Sequence, residues 1–303
     1  MTTKTEVRRD IYQSITDQIA QAIEDGAATF QMPWRNSDGF PYSPINAVSK
    51  NAYRGINVLV LWAAAQRRGF SSGLWATFKQ WQTLGGQVRK GERATTAVLW
   101  KFFDTKDNET EVESGDSANA RRIPMVREYT LFNVAQVDGY EMKPGAKPSK
   151  NERIEEAERF FSGLEISLGA GGNRAYYCPT SDSVFMPPFE AFKQPLFYYS
   201  VLAHETTHWS GAERRLNRDL EGRFGSDSYA MEELIAELGA AFLCAKLNLP
   251  SDPRLDHAPY VATWLKVFKN DKKALFTAAA RAQEAADWLV KTASTGRAPT
   301  AVV

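Results

Sequence analysis

The sequence predicts an α+β fold in two domains, and three observations carry that prediction. Isoleucines recur every four residues near the start, as they do on one face of a helix. Two runs rich in β-branched and aromatic residues follow in the first half, the pattern of paired strands. The stretch GYEMKPGAKPSKN then separates that half from a second series of helix, strands and further helices. The division placed on this basis is a first domain at residues 1–140, a linker at 141–151 and a second domain at 152–303.

Val7, Ile11, Ile15, Ile19 and Ile23 define the first helix, which should end near Gly26. A loop punctuated by proline and glycine follows, MPWRNSDGFPYSPINAVSKN. Short helices are expected within INVLVLWAAAQRRG and LWATFKQWQTLGG, and strands at ATTAVLWKFF and REYTLFNVAQV. The acidic DTKDNETEVESGDSANA between the strands reads as a long hairpin loop. The second half opens with a helix carrying Ile154, Ala157, Phe160, Phe161 and Leu164. NRAYYCPTSDSVFMPP reads as two short strands, and DSVFMPP as an edge to which an extended peptide could pair. A helix is expected from about Gln194, a second at YAMEELIAELGAAFLCAKL, and helix again to about Thr292.

Composition narrows the function. With 43% hydrophobic and 24% charged residues and a net charge of +1, the chain has the make-up of a globular protein. That charge excludes a strongly acidic mimic of DNA and moves any charge argument to local patches. No run reaches the roughly 18 apolar residues of a membrane helix, and the start has no signal-peptide core. Cys178 and Cys244 are far apart and read as core thiols. A cytoplasmic protein with no membrane partner is expected.

VLAHETTHWSG carries two of the chain's three histidines at H-E-x-x-H spacing. On a helix, positions i and i+4 share a face, so His204 and His208 can reach one Zn²⁺, or another divalent ion such as Mn²⁺. Zinc acidifies water to a pKa of roughly 7, and Glu205, beside that face, is the candidate base for its proton. The uncharged neighbours Thr206, Thr207 and Trp209 suit a buried helix. A third donor should come from MEELIAELGAAF, where Glu233 and Glu237 lie one turn apart. The E-L-I-A-E spacing resembles the E-x-x-x-D pattern of gluzincins, which implies Glu233 as ligand and Glu237 as the group orienting a histidine; the reverse assignment stays open. His257, in SDPRLDHAP, is the rival third ligand.

From Lys50 to Lys101 nine basic residues stand against one acid, Glu92, and five of the eight tryptophans lie in or beside the segment. Cations interleaved with rings suit single-stranded nucleic acid, because phosphates meet Lys and Arg while bases stack on aromatic faces. The candidates are Arg54, Arg67, Arg68, Trp75, Lys79, Trp81, Arg89, Lys90 and Arg93, with Phe78 beside them. GGQVRKGER reads as a glycine-rich basic turn able to follow phosphates.

NAYRGINVLVLW, LWATFKQWQTLGGQVRKGERATTAVLWKF and VLAHETTHWSG with MEELIAELGAAF together resemble the ArdC family of antirestriction proteins, over essentially the whole chain. The resemblance implies an N-terminal domain that binds single-stranded DNA and a C-terminal zincin-like, gluzincin-type metallopeptidase domain. It further implies a conjugative-plasmid protein that protects incoming DNA from restriction, with a host restriction protein as possible substrate or target. The motif residues it carries over are His204, Glu205 and His208, with Glu233 or Glu237 as the acidic partner.

Overall fold

Asp10 starts the first helix: its carboxylate accepts hydrogen bonds from the backbone N–H groups of Tyr12 and Gln13, as an N-cap does. The computed structural model describes residues 10–27, 43–104, 122–141, 150–220, 226–249 and 258–295. Helix α1 (Ile11–Ala27) buries Ile15, Ile19 and Ile23 completely or nearly so, which accounts for the four-residue repeat. After strand β1 (Ile45–Asn46), helix α2 (Ile56–Arg68) is buried on nearly every side along its first two turns. It stops at Gly69, whose φ of 66° is the left-handed geometry a helix end needs.

Strand β2 (Leu74–Ala76) and helix α3 (Phe78–Thr83) share the segment expected to be one helix. Thr77 divides them because its hydroxyl and the Gln80 side chain form a capping box. Strand β3 (Gln87–Val88) leads to the hairpin β4 (Thr95–Asp104) and β5 (Arg122–Asn133). Strand β5 ends earlier than its composition suggests, since the Asn133 side chain caps a 3-10 turn before β6 (Val137–Asp138). The sheet order is β1-β2-β5-β4, with β3 and β6 forming a separate ladder.

The second half runs α4 (Lys150–Ser162), β7 (Ser167–Ala170), β8 (Tyr176–Cys178), β9 (Ser183–Met186), α5 (Pro195–Ser210), α6 (Asp227–Lys246), α7 (Ala258–Asn270) and α8 (Ala274–Thr295). Lys150 and Asn151, placed in the linker from sequence, form the first turn of α4. Strand β9 is flanked by β7, parallel, and β8, antiparallel. The reading of DSVFMPP as a free edge is therefore corrected. Strand β7, four residues of SLGA without β-branching, gave no signal and takes the side that was expected to be open.

One large core joins the two halves. It includes Ile15, Ile19 and Ile23 of α1, residues of α2, Val98 of β4 and the buried faces of α4 to α8. Polar contacts follow the same seam: Thr16 Oγ donates to the Lys272 carbonyl at 2.8 Å, and the Gly55 N–H to Gln283 at 3.0 Å. Both described cysteines are free thiols. Among the described residues no helix is long and apolar enough to cross a membrane.

The two tryptophans picked for base stacking are corrected by this packing. Trp75 is 1% exposed and Trp81 0%. Trp75 lies edge-on to Phe70, and the Trp81 indole N–H donates to the Phe132 carbonyl at 2.9 Å. Lys79, Gln80 and Gln82 suggested open rings; on the short helix α3 Lys79 and Gln82 face solvent while the Trp81 indole turns inward, and Trp75 sits on β2 beside the fully buried Ala76.

Candidate metal centre

Helices α5 and α6 cross closely at the centre, and Gly239 permits the approach. A β-carbon there would lie 2.6 Å from Thr207 Cγ2, well inside contact distance. Both helices are buried for most of their length, so each polar group along them needs a partner.

His204 Nε2 and His208 Nε2 stand 3.2 Å apart on α5. The Glu233 carboxylate of α6 lies 3.6 Å from each of them, through Oε2 and Oε1 respectively. All three donor atoms fall within 4.8 Å of one another. Ligand atoms about 2.0–2.1 Å from one tetrahedral zinc ion are about 3.3 Å apart, so two imidazoles and a carboxylate at these spacings fit a divalent cation. His204 is 3% exposed at its side chain, Glu233 12% and His208 14%, so the site opens on the side of the last two.

The far ring nitrogens also face carboxylates. His204 Nδ1 lies 3.7 Å from Glu237 Oε2, and His208 Nδ1 lies 3.1 Å from Glu232 Oε1. A carboxylate at Nδ1 favours the tautomer that leaves Nε2 as a lone pair for a metal. Arg218 clamps Glu232 through two nitrogens, at 2.9 and 3.0 Å. It also donates to the Thr207 carbonyl at 2.6 Å and to Ser210 Oγ at 3.0 Å, which ties the segment after α5 back onto that helix. Burial pushes the Glu232 carboxyl upward, but hydrogen bonds from His208 and Arg218 outweigh it and hold its pKa below the ordinary value.

Glu232 and Arg218 were not found from sequence. The adjacent acids of MEELIAEL, inside an apolar helix, were a signal that both would need partners. Arg218 had none, since only the chain's return after α5 brings it near. Glu205 is buried on α5 beside His204. His257 lies outside the described residues.

The basic candidates divide. Arg54 meets Asp287 of α8 at the seam, about 20 Å along α2 from Arg67 and Arg68. Arg68 donates to the Arg93 carbonyl at 2.5 Å, and Arg89 bonds Glu92 at 2.9 Å, Asp138 at 3.3 Å and the Ala135 carbonyl at 2.5 Å. Hydrogen bonds to Glu92 and Asp138 raise the Arg89 pKa. Arg67, Lys79, Lys90 and Arg93 are exposed.

Comparison with known proteins agrees with both halves. The N-terminal domain of the anti-restriction factor ArdC matches residues 9–132, and the zincin-like metallopeptidase family matches residues 155–281. The uncharacterized protein y4eC of Sinorhizobium fredii is 48% identical over 280 residues, covering 92% of this chain and 91% of the relative. An Escherichia coli DNA primase TraC is 32% identical over 94% of this chain, which spans only 20% of that larger protein. The crystal structure of metal-free ArdC from plasmid R388 superposes with a TM-score of 0.78 at 37% identity, covering 96% of this chain and 100% of that one. The Mn(II)-bound structure of the same protein gives 0.75 at 38%, covering 95% and 100%.

Fold and site thus define an α+β protein that joins an N-terminal domain of the ArdC type to a zincin-like metallopeptidase domain with a divalent-metal site. The chain belongs to the ArdC family of antirestriction proteins.

Proposed function

We propose that this chain shields single-stranded DNA entering a cell from restriction. In this reading its N-terminal part, residues 1–140, binds the strand, and residues 152–303 form a gluzincin-type peptidase centre. The observation that carries the second half is the trio His204, His208 and Glu233 on two buried, crossing helices. The first half is supported by the match to the ArdC N-terminal domain and by the exposed cations around Arg67, Lys90 and Arg93.

His204, His208 and Glu233 would hold Zn²⁺ or Mn²⁺. When bound, the ion supplies a Lewis acid that acidifies water and polarises a peptide carbonyl. Glu237 and Glu232 orient the two imidazoles, with Arg218 locking Glu232 in place. Glu205 takes the proton from the attacking water and returns it to the leaving amine. The substrate class is a protein met beside the DNA, such as a component of the recipient's restriction system, in the cytoplasm.

The test pairs wild type with Glu205→Ala, each assayed for bound metal and for protection of DNA entering a restricting recipient. The expected result is metal in both proteins and protection by wild type alone. Equal protection would remove proteolysis from the function and leave a strand-coating protein with a structural metal. A wild type that takes up no divalent ion would overturn the metal assignment.

A further inference from the structure

With Trp75 and Trp81 in the interior, the large ring that faces solvent near the basic turn is Phe78, 41% exposed. It opens α3 directly after the capping residue Thr77 and stands edge-on to Phe132, with centroids 6.4 Å apart at 68°. The two rings and Val88 floor a concave site of about 520 Å³, within the span of about 300–1,000 Å³ typical of small-ligand sites. Gln87, Arg89 and Lys90 stand on its rim.

The charges here are unevenly used. The acids at the site, Glu92 and Asp138, are both engaged by Arg89. Lys90 sits at the tip of the turn before Gly91, whose φ of 87° lets the chain reverse there. Lys90 and Lys79 are exposed and make no ion pair among the described residues. A hydrogen-bonded path ties Arg89 to Arg68: Arg89 donates to the Ala135 carbonyl, Gln136 of that turn donates to the Arg93 carbonyl at 3.0 Å, and Arg68 donates to the same carbonyl. A solvent-facing ring over a concave apolar floor, edged by Lys90 and with Lys79 next to Phe78 in sequence, matches a ligand that is flat and apolar in one part and anionic in the next. An unpaired nucleobase with its flanking phosphates has that chemistry.

We propose that Phe78 and Phe132 form a stacking subsite for one unpaired nucleobase, with Lys90 and Lys79 meeting the phosphates on either side. The proposal rests on the reading of this chain as a single-strand binder and assigns where a base is held. Gln87, exposed on the rim, offers an amide to the base edge without demanding a particular base.

The full chain would be titrated with a fluorescein-labelled oligodeoxythymidine and with an abasic oligomer of the same length, reading anisotropy. Phe78→Ala should weaken oligodeoxythymidine binding roughly 5- to 100-fold, whereas Phe78→Trp should retain it. The preference of wild type for the based oligomer should shrink by the same factor in Phe78→Ala. Lys90→Ala should reduce the slope of log affinity against log salt by roughly 0.7. If wild type binds and a Phe78→Ala protein with an unchanged circular dichroism spectrum binds equally well, the subsite is wrong while strand binding stands. If Phe78→Ala weakens both oligomers alike, the ring acts through the protein and the proposal is overturned. If wild type binds neither oligomer, strand binding fails and the subsite with it.

Discussion

The metal centre and the basic ridge use charged side chains in opposite ways. At the centre His204, Glu232, Glu233 and Glu237 are buried, and the ring nitrogens and carboxylates face one another at 3.1 to 3.7 Å. Along the ridge Arg67, Lys79, Lys90 and Arg93 face solvent while Trp75 and Trp81 turn inward. Burial makes each centre residue depend on its partners, because an unpaired charge in the interior is costly. Exposure makes each ridge residue nearly independent, with a small and salt-sensitive contribution. The contrast sets the expected effect of each substitution.

The largest effect belongs to Glu233→Ala. It removes a donor and should reduce metal affinity beyond the roughly 10- to 100-fold typical of groups that only orient a ligand. Metal titration by calorimetry would check it. An affinity within tenfold of wild type would shift the ligand role to Glu237 or elsewhere.

Trp81→Ala should cost about 3–5 kcal/mol of stability, as a fully buried ring does, whereas Phe78→Ala should cost less than about 0.5 kcal/mol. Denaturant midpoints of the two variants measured side by side test this. Similar losses would abolish the distinction between interior and surface aromatics.

Arg218→Ala leaves Glu232 buried without its clamp, and a loss of about 3–5 kcal/mol is expected. Metal affinity should fall about 10- to 100-fold because His208 loses its fixed orientation. Glu232→Gln keeps the shape while removing the charge at Nδ1; it should lower metal affinity likewise, and also cost stability because the buried Arg218 guanidinium loses its counter-charge. Gly239→Ala should cost about 1–3 kcal/mol by overpacking against Thr207, and Thr207→Ser in the same chain should recover part of it by removing the methyl group in the closest contact.

The smallest effect lies at the seam. Asp10 has its pKa held below 3.8, first by the Lys272 ammonium and then by the Gln13 N–H. A depressed carboxylate contributes stability that is complete above its unfolded pKa and fades as pH falls through the folded one. Asp10→Asn should therefore lower stability slightly near neutrality, where that contribution is complete, with the difference from wild type shrinking below about pH 4, measured by thermal melts across pH.

How much was legible differs between the two regions for a geometric reason. His204, Glu205 and His208 lie on one helix, where a spacing of four already places two side chains together. Glu233 and Glu237 repeat that logic on α6, and the crossing of α5 and α6 brings Glu233 to the two imidazoles. The isoleucines of α1 marked a buried face, but not that the face would meet α2 and α7. For the ridge, composition identified cations near rings and could not say which way each ring would turn. Trp81 and Lys79 are two residues apart on one short helix, and one is interior while the other meets water.

The sequence by itself determined the metal-binding pattern of α5, the acidic pair of α6, the α+β class and the family. All of these rest on spacings within one element or on motifs read along the chain. Only the tertiary structure decided that Glu232 and Arg218 complete the support of His208, that Arg54 serves the seam, and that Phe78 faces solvent where Trp75 and Trp81 do not. Those outcomes depend on which surfaces of different elements pack together. A local pattern does not encode that choice, because burying apolar area is favourable against any complementary face.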